Sequence, residues 1–341
     1  RHDDAYTPGN VGGKRPDRAV IVYSQRCRQA YKHTPIVIGG IESSLRRIAQ
    51  YDYWSDQVRR SVLIDSGADI LLYGNAERAI VELSHELALG KTLKDIRYMR
   101  GTSVIMDQAP DECIQIDSSR IDWPGKIDLI DNPYDMGEQK YIPANEEAFI
   151  EQQESEIQAL KLIPAPLKRQ ADLGNDDWLC IRLPSFEKVI SDPILYAHAS
   201  RILHQESNPH NAKALIQKHG NKEIWVNPPP IPLSTEEMDQ IFASFFARVP
   251  HPKYDGQKIP AYDMIKTSVN IMRGCFGGCT FCSITEHEGR VIQSRSHESV
   301  LKELEEIKEK VPGFTGQISD LGGPTANMYH LNCKSEEIQA S

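Results

Sequence analysis

Residues 273–282, RGCFGGCTFC, place Cys275, Cys279 and Cys282 within eight positions of a chain that has seven cysteines in all. Thiols this close suit metal or redox chemistry, because thiolates are strong ligands for zinc and for iron–sulfur clusters. The spacing Cys-x3-Cys-x2-Cys is open to four readings. A structural zinc site takes four ligands, commonly as two Cys-x2-Cys pairs; no second pair is present, and His287 is the candidate fourth ligand. A thioredoxin-type pair uses Cys279 and Cys282 but gives Cys275 no role. An ordinary electron-transfer cluster takes a fourth cysteine, for which Cys333 is available. A 4Fe-4S cluster on three thiolates leaves one iron open to another ligand. Gly274, Gly277 and Gly278 let the backbone coil closely without Cβ clashes. Phe281, just before the last cysteine, offers a flat face to a planar ring.

The elements that must position these residues follow from the flanking sequence. TSVNIMRGC (267–275) reads as a strand and SHESVLKELEEIKEKVPG (296–313) as an amphipathic helix stopped by Pro312 and Gly313. GQISDLGG (316–323) reads as a second strand, so the cysteines occupy the loop after the first strand of a βαβ unit. Barrels of such units carry their chemistry at that end. Upstream, 15–33 has the pattern of a helix. PIVIGG (35–40) reads as a strand turning into a helix, with Ser43 and Ser44 as capping candidates. Residues 68–90 repeat the pattern with a turn at Gly74 and Asn75. The alternation predicts a parallel, helix-covered sheet, part of a doubly wound α/β fold over 1–105. The Gly39-Gly40 and Gly74-Asn75 turns lack both G-x-G-x-x-G spacing and a P-loop lysine, and read as tight connections.

Residues 106–260 look irregular and helical, with helix candidates at 146–162 and 234–249. The second opens with a capping box from Ser234 to Glu237. Between them NPPPIPL (227–233) reads as a rigid extended connector. His198, His204, His210 and His219 are spaced by six, six and nine, which aligns no two imidazoles one helical turn apart, so they read as hydrogen-bonded or solvated side chains. The third region, 261–341, holds the cysteine loop.

With 341 residues, 40% hydrophobic and 26% charged, the chain has an ordinary globular composition. Forty-eight acidic residues against 39 basic ones give a net charge of -9, which offers no general attraction to nucleic acid or to an anionic membrane. Neither an apolar run of membrane-spanning length nor a signal-peptide pattern is present, and the expected location is cytoplasmic. Both ends read as cut, since the chain begins at Arg1 and stops soon after a strand-like segment.

The cysteine spacing with an aromatic residue before the last thiol, C275-FGG-C279-TF-C282, resembles the radical S-adenosylmethionine (SAM) superfamily. IMRGCFGGCTFCSITEHEGRVIQSRS, ISDLGGPTANMY, PIVIGGIESSLRRIAQYDYWSD and NPPPIPLSTEEMD extend the resemblance to YgiQ-type (UPF0313) radical SAM proteins across nearly the whole chain. The resemblance implies a 4Fe-4S cluster on Cys275, Cys279 and Cys282, with the amine and carboxylate of SAM on the fourth iron. It implies reductive cleavage of SAM to methionine and a 5'-deoxyadenosyl radical, fed by an electron donor such as flavodoxin or ferredoxin. The substrate stays unassigned, with methyl or methylthio transfer to RNA or protein as an alternative. Phe281 fits the position beside adenine, and Gly322 and Gly323 fit the pair whose backbone receives the SAM amino group. Pro324 stands where many members have glutamate, which makes Asp320 a candidate for the missing charge. The implied fold is a partial, cobalamin-binding-like doubly wound sheet followed by the start of a radical SAM partial (β/α) barrel. No D-x-H-x-x-G is present to give cobalt a histidine, and residues 276–341 are too few for a barrel of about six βα units of roughly 30 residues each.

Overall fold

Short β-branched and aliphatic runs form the strands, and their period of two sends side chains to opposite faces. The computed structural model describes residues 2–126 and 179–331, apart from 255, 278 and 280. Its strands up to residue 226 are Val37–Ile38 (β1), Gln50–Asp52 (β2), Gln57–Arg59 (β3), Ile70–Leu72 (β4), Thr102–Met106 (β5), Ile114–Asp117 (β6), Leu179–Arg182 (β7), Ala214–His219 (β8) and Lys222–Val226 (β9). Seven of them form one sheet in the order β1-β4-β5-β9-β8-β7-β6, while β2 and β3 make a separate hairpin.

Both faces of the sheet are covered. Ile70, Leu72, Val104, Ile216 and Trp225 pack on one side against Ala79 and Leu83 of the helix Glu77–Ala88. Leu71, Ile181, Leu215 and Ile224 pack on the other against Leu63 and Ile202, from the helices Val62–Ser66 and Pro193–Gln205. The helix-covered α/β layering agrees with expectation, but the sheet is mixed rather than parallel. Only β1 with β4, and β6 with β7 and β8, run parallel; β4–β5, β5–β9 and β8–β9 are antiparallel. The cause of one reversal is local: Gly220, at φ 62°, and Asn221 join β8 to β9 as a two-residue hairpin loop.

The stretch from 106 to 260 was expected to be irregular, yet it supplies β6 to β9 of this sheet. The helix candidate at 146–162 lies outside the described residues. Cys113 and Cys180, 67 residues apart in sequence, form a disulfide with Cα atoms 6.4 Å apart. The parallel pairing of β6 with β7 brings them together, since Cys180 lies opposite Gln115. Ser43 and Ser44 do not cap a helix. Gly39 takes that place, and both serines are buried inside the helix Gly40–Leu45.

The second part of the molecule follows Ser268–Asn270 (β10), Met272–Arg273 (β11), Gln293–Ser294 (β12) and Asp320–Gly322 (β13). β10 and β13 pair in parallel, with the helix His297–Lys310 between them in sequence, which is the expected βαβ unit. Val269, Ile271, Met272, Val300, Ile307 and Val311 form its core. β11 and β12 add an antiparallel pair that holds the base of the cysteine loop. Arg295, 1% exposed, pairs with Glu303, donates to the Asn270 carbonyl at 2.8 Å and lies 4.2 Å from the Phe242 ring centroid. A buried cation without such partners would be costly.

The proline segment is held by its own carbonyls. Gly101 N–H donates to Pro228 O at 2.8 Å, Arg100 to Pro229 O at 2.9 Å and Arg78 to Ile231 O at 2.8 Å. It leads from β9 to the helix Thr235–Phe242, whose capping box is formed as expected by Ser234 and Glu237. Among the described residues no helix is long and apolar enough to cross a membrane.

Candidate functional site

The cysteine loop begins where β11 ends. Gly274 has φ 85°, a conformation that favours glycine, and its Cα abuts the Val291 main chain so closely that a Cβ would overlap it. The loop is then laced to the residues that follow the cysteines: Gly274 N–H donates to Glu288 Oε2 at 2.9 Å and Cys275 N–H to Gly289 O at 3.1 Å. Its two ends are therefore fixed to each other.

Cys275 and Cys279 gather around Gly277. The Gly277 N–H donates to Cys275 Sγ at 3.4 Å, and a Cβ at this position would stand 3.3 Å from Cys275 Sγ and 3.9 Å from Cys279 Sγ. Cys282 N–H donates to the Cys279 carbonyl at 3.0 Å, which turns the chain back on itself. All three are free thiols, with Cys279 exposed and the other two half-buried. Among the described residues no three Cys, His, Asp or Glu side chains stand together as a ready metal-binding set, so the third thiol does not join the first two in this arrangement. Phe281 is 90% exposed and leaves its ring faces free. Gly278 and Cys333 lie outside the described residues.

Gly322 and Gly323 lie beside the strand that feeds this loop. Gly322 pairs with Asn270, and its carbonyl accepts the Ile271 N–H at 2.7 Å. A Cβ on Gly323 would lie 2.6 Å from the Met272 carbonyl oxygen. The glycine pair thus lets β13 approach the chain three residues before Cys275. Asp320 starts β13, exposed, with its carboxylate beside Gly322.

His287, the candidate fourth zinc ligand, is engaged elsewhere. Its Nδ1 bonds Ser44 Oγ at 2.9 Å, and burial holds its imidazole below the ordinary histidine range. Ser44 Oγ also accepts the Gly74 N–H at 3.0 Å, which joins the strand-end turn of the sheet to the helix Ile284–Glu288. Of the four histidines between 198 and 219, His198 and His204 share one helix, His210 lies in a loop and His219 on β8.

Several residues around the site carried no sequence signal. Arg47, 3% exposed, lies over the Tyr73 ring and pairs with Glu286 at 3.6 Å. His204 bonds the same carboxylate through Nδ1 and meets Arg290 through Nε2. Burial disfavours the charged form of Glu286, but His204, Arg47 and Arg290 outweigh it and hold the carboxyl below its usual range. Arg273 pairs with Glu77 at 2.6 Å. Arg47, Glu286, Arg290, Tyr73 and the proline segment line a cleft of about 40 Å³. That is room for ordered water.

A family model described as Radical SAM N-terminal matches residues 1–268. A UPF0313 protein of Pseudomonas putida is 59% identical over 341 residues, and the UPF0313 protein YgiQ of Salmonella typhimurium is 58% identical over 341 residues. The chain belongs to the YgiQ-type radical SAM family. A further relative, a UPF0313 protein of Vibrio vulnificus, is 61% identical over 342 residues. These alignments take in 99% or more of this chain but only 44%, 46% and 43% of the Pseudomonas, Salmonella and Vibrio proteins. The chain therefore spans less than half the length of these YgiQ-type relatives. The family match ends at residue 268, at the start of β10, so it covers the sheet and leaves the cysteine loop to be argued from its own residues.

Proposed function

We propose that Cys275, Cys279 and Cys282 hold a 4Fe-4S cluster whose fourth iron takes S-adenosylmethionine, in an enzyme that cleaves SAM reductively. The carrying observation is the loop's place. It follows β11, just beyond β10, the first strand of a βαβ unit, folds two thiols around Gly277, and lies beside the glycine pair at the end of the second strand. The donor set fits the group: three free thiols, one already accepting a main-chain N–H, with a glycine between two of them where any side chain would crowd the sulfurs. Closure of all three thiols belongs to loading, because metal binding and local folding are coupled.

When bound, the cluster would relay one electron from the reductant to SAM, whose sulfonium would be the bond cleaved. The chain's own residues bind and orient. Gly274 and Gly277 admit close backbone approach, Phe281 presents an aromatic face to adenine, and the main chain at Gly322 and Gly323 receives the SAM amino group. Asp320 supplies charge near that glycine pair. The segment from 261 onward is the beginning of the catalytic core, and an electron donor of the flavodoxin or ferredoxin kind supplies the reducing electron.

A structural zinc site is the weaker reading, because among the described residues His287 does not stand with the Cys275–Cys279 pair as a third ligand. Anaerobic reconstitution with iron and sulfide tests the proposal: the wild type takes up a full cluster per chain, and Cys275→Ala, Cys279→Ala and Cys282→Ala each lose it. Tight zinc with wild-type stoichiometry in place of iron and sulfide would overturn it.

A further inference from the structure

The helix Ile284–Glu288 begins two residues after Cys282 and is only five residues long. A helix this short is not stable alone, since nucleation costs more than one turn returns. Contacts with the sheet supply what it lacks. Arg47 pairs with the Glu286 carboxylate at 3.6 Å and donates to the Glu286 carbonyl at 3.3 Å. Ser44 bonds His287 at 2.9 Å, and Asn75 Nδ2 donates to Glu288 O at 3.5 Å. Gly74 lies so close that a Cβ there would be 3.1 Å from the His287 carbonyl oxygen.

The other flank of the loop is tied in the same way. Arg273, two residues before Cys275, pairs at 2.6 Å with Glu77, in the first turn of the helix that covers the sheet. Its guanidinium also lies 5.5 Å from the Phe242 ring centroid. Each flank of the cysteine loop thus carries one ion pair to the sheet, Arg273 with Glu77 on entry and Glu286 with Arg47 on exit. Glu288 and Gly289 close the base between them by accepting the N–H groups of Gly274 and Cys275.

We propose that Arg47 and Glu77 are positioning residues for the cluster loop, so that the sheet, through this pair of clamps, sets the geometry in which the three thiolates meet iron. The proposal rests on the cluster reading above. Arg47 holds the exit flank and Glu77 the entry flank, and neither touches a cysteine. Loss of either clamp frees one end of the loop while the strands of the sheet keep their own contacts, because Arg47 follows the helix Gly40–Leu45 and Glu77 starts the helix Glu77–Ala88, both outside the strands.

Arg47→Met and Glu77→Gln test this in the reconstituted protein, with Ile181→Ala, on β7 and separated from β4 by three strands, as a core-destabilising control away from the clamps. The readouts are the rate at which an iron chelator strips the cluster and the electron paramagnetic resonance spectrum of the reduced cluster before and after SAM is added. Both clamp variants should load iron, lose it several-fold faster than the wild type and show an altered SAM-induced spectral change. Ile181→Ala should melt lower yet keep the wild-type stripping rate and spectrum. The inference falls if the clamp variants match the wild type, or if Ile181→Ala matches the clamp variants. A wild type that takes up no iron and sulfide overturns the cluster reading itself, and this inference with it.

Discussion

Replacing Gly323 by alanine puts a carbon 2.6 Å from the Met272 carbonyl oxygen and 2.7 Å from Met272 Cγ. Neither neighbour can retreat easily, because one is main chain and the other belongs to a side chain with 0% exposure. The backbone at Gly323 is not left-handed, so the cost is steric rather than conformational. Overpacking of this kind costs about 1–3 kcal/mol. At about 2–4 °C per kcal/mol for a protein of this size class, Tm should fall by roughly 2–12 °C. Gly322→Ala is the matched comparison. Its nearest new contacts are the flexible Asp320 carboxylate oxygens at 3.4 and 3.5 Å, and it should melt within about 0.5 kcal/mol of the wild type, as substitutions without a destabilising mechanism do. The displaced strand in Gly323→Ala carries Arg273 toward Cys275, so iron retention should weaken with stability. Thermal melts of the three proteins decide it. Equal Tm values for Gly323→Ala and Gly322→Ala would refute the argument that close strand approach is what requires the second glycine.

His219 stacks on Phe186, bonds Gln217 at 3.0 Å and is pushed down by burial to about 4. A lowered folded-state pKa means that the unfolded chain takes up the proton first, so stability is full above about pH 6.5 and falls as pH drops toward about 4. The loss is on the order of 3 kcal/mol at about 1.4 kcal/mol per unit. Urea titrations of the wild type and His219→Phe across that range should show the variant losing less stability; parallel curves would contradict it. Ser234→Ala removes the acceptor for the Glu237 N–H at 3.2 Å and should cost about 0.5–2 kcal/mol, read from the same denaturation midpoints. Glu286→Gln keeps the shape but not the charge between Arg47 and His204, and buried pairs lose most when one partner is neutralised. Its apo form should become more susceptible to proteolysis near 282–290, whereas an unchanged cleavage pattern would argue that Glu286 does not anchor the helix.

The parts of the fold that announced themselves in sequence are those whose contacts are local. The βαβ unit around the cysteines followed from two apolar runs and one amphipathic helix, and Ser234 marked its helix start through a bond three residues away. The mixed sheet was missed because strand direction depends on partners far along the chain: β5 meets β9 across more than a hundred residues. One reversal was legible, since Gly220-Asn221 between two apolar runs is a hairpin signal. In the site, the cysteines, Phe281 and the glycine pair were visible as a motif. Arg47 and Glu77 were not, because neither residue type nor spacing distinguishes a clamp from any exposed charge until the tertiary fold places it opposite Glu286 or Arg273.

The most direct test of the central proposal is chemical. The protein is reconstituted anaerobically with iron and sulfide, reduced, and incubated with SAM, and the products are separated by liquid chromatography with mass detection. The account predicts 5'-deoxyadenosine and methionine from the wild type and neither from Cys282→Ala. Intact SAM in the presence of a fully loaded, reduced cluster would contradict it.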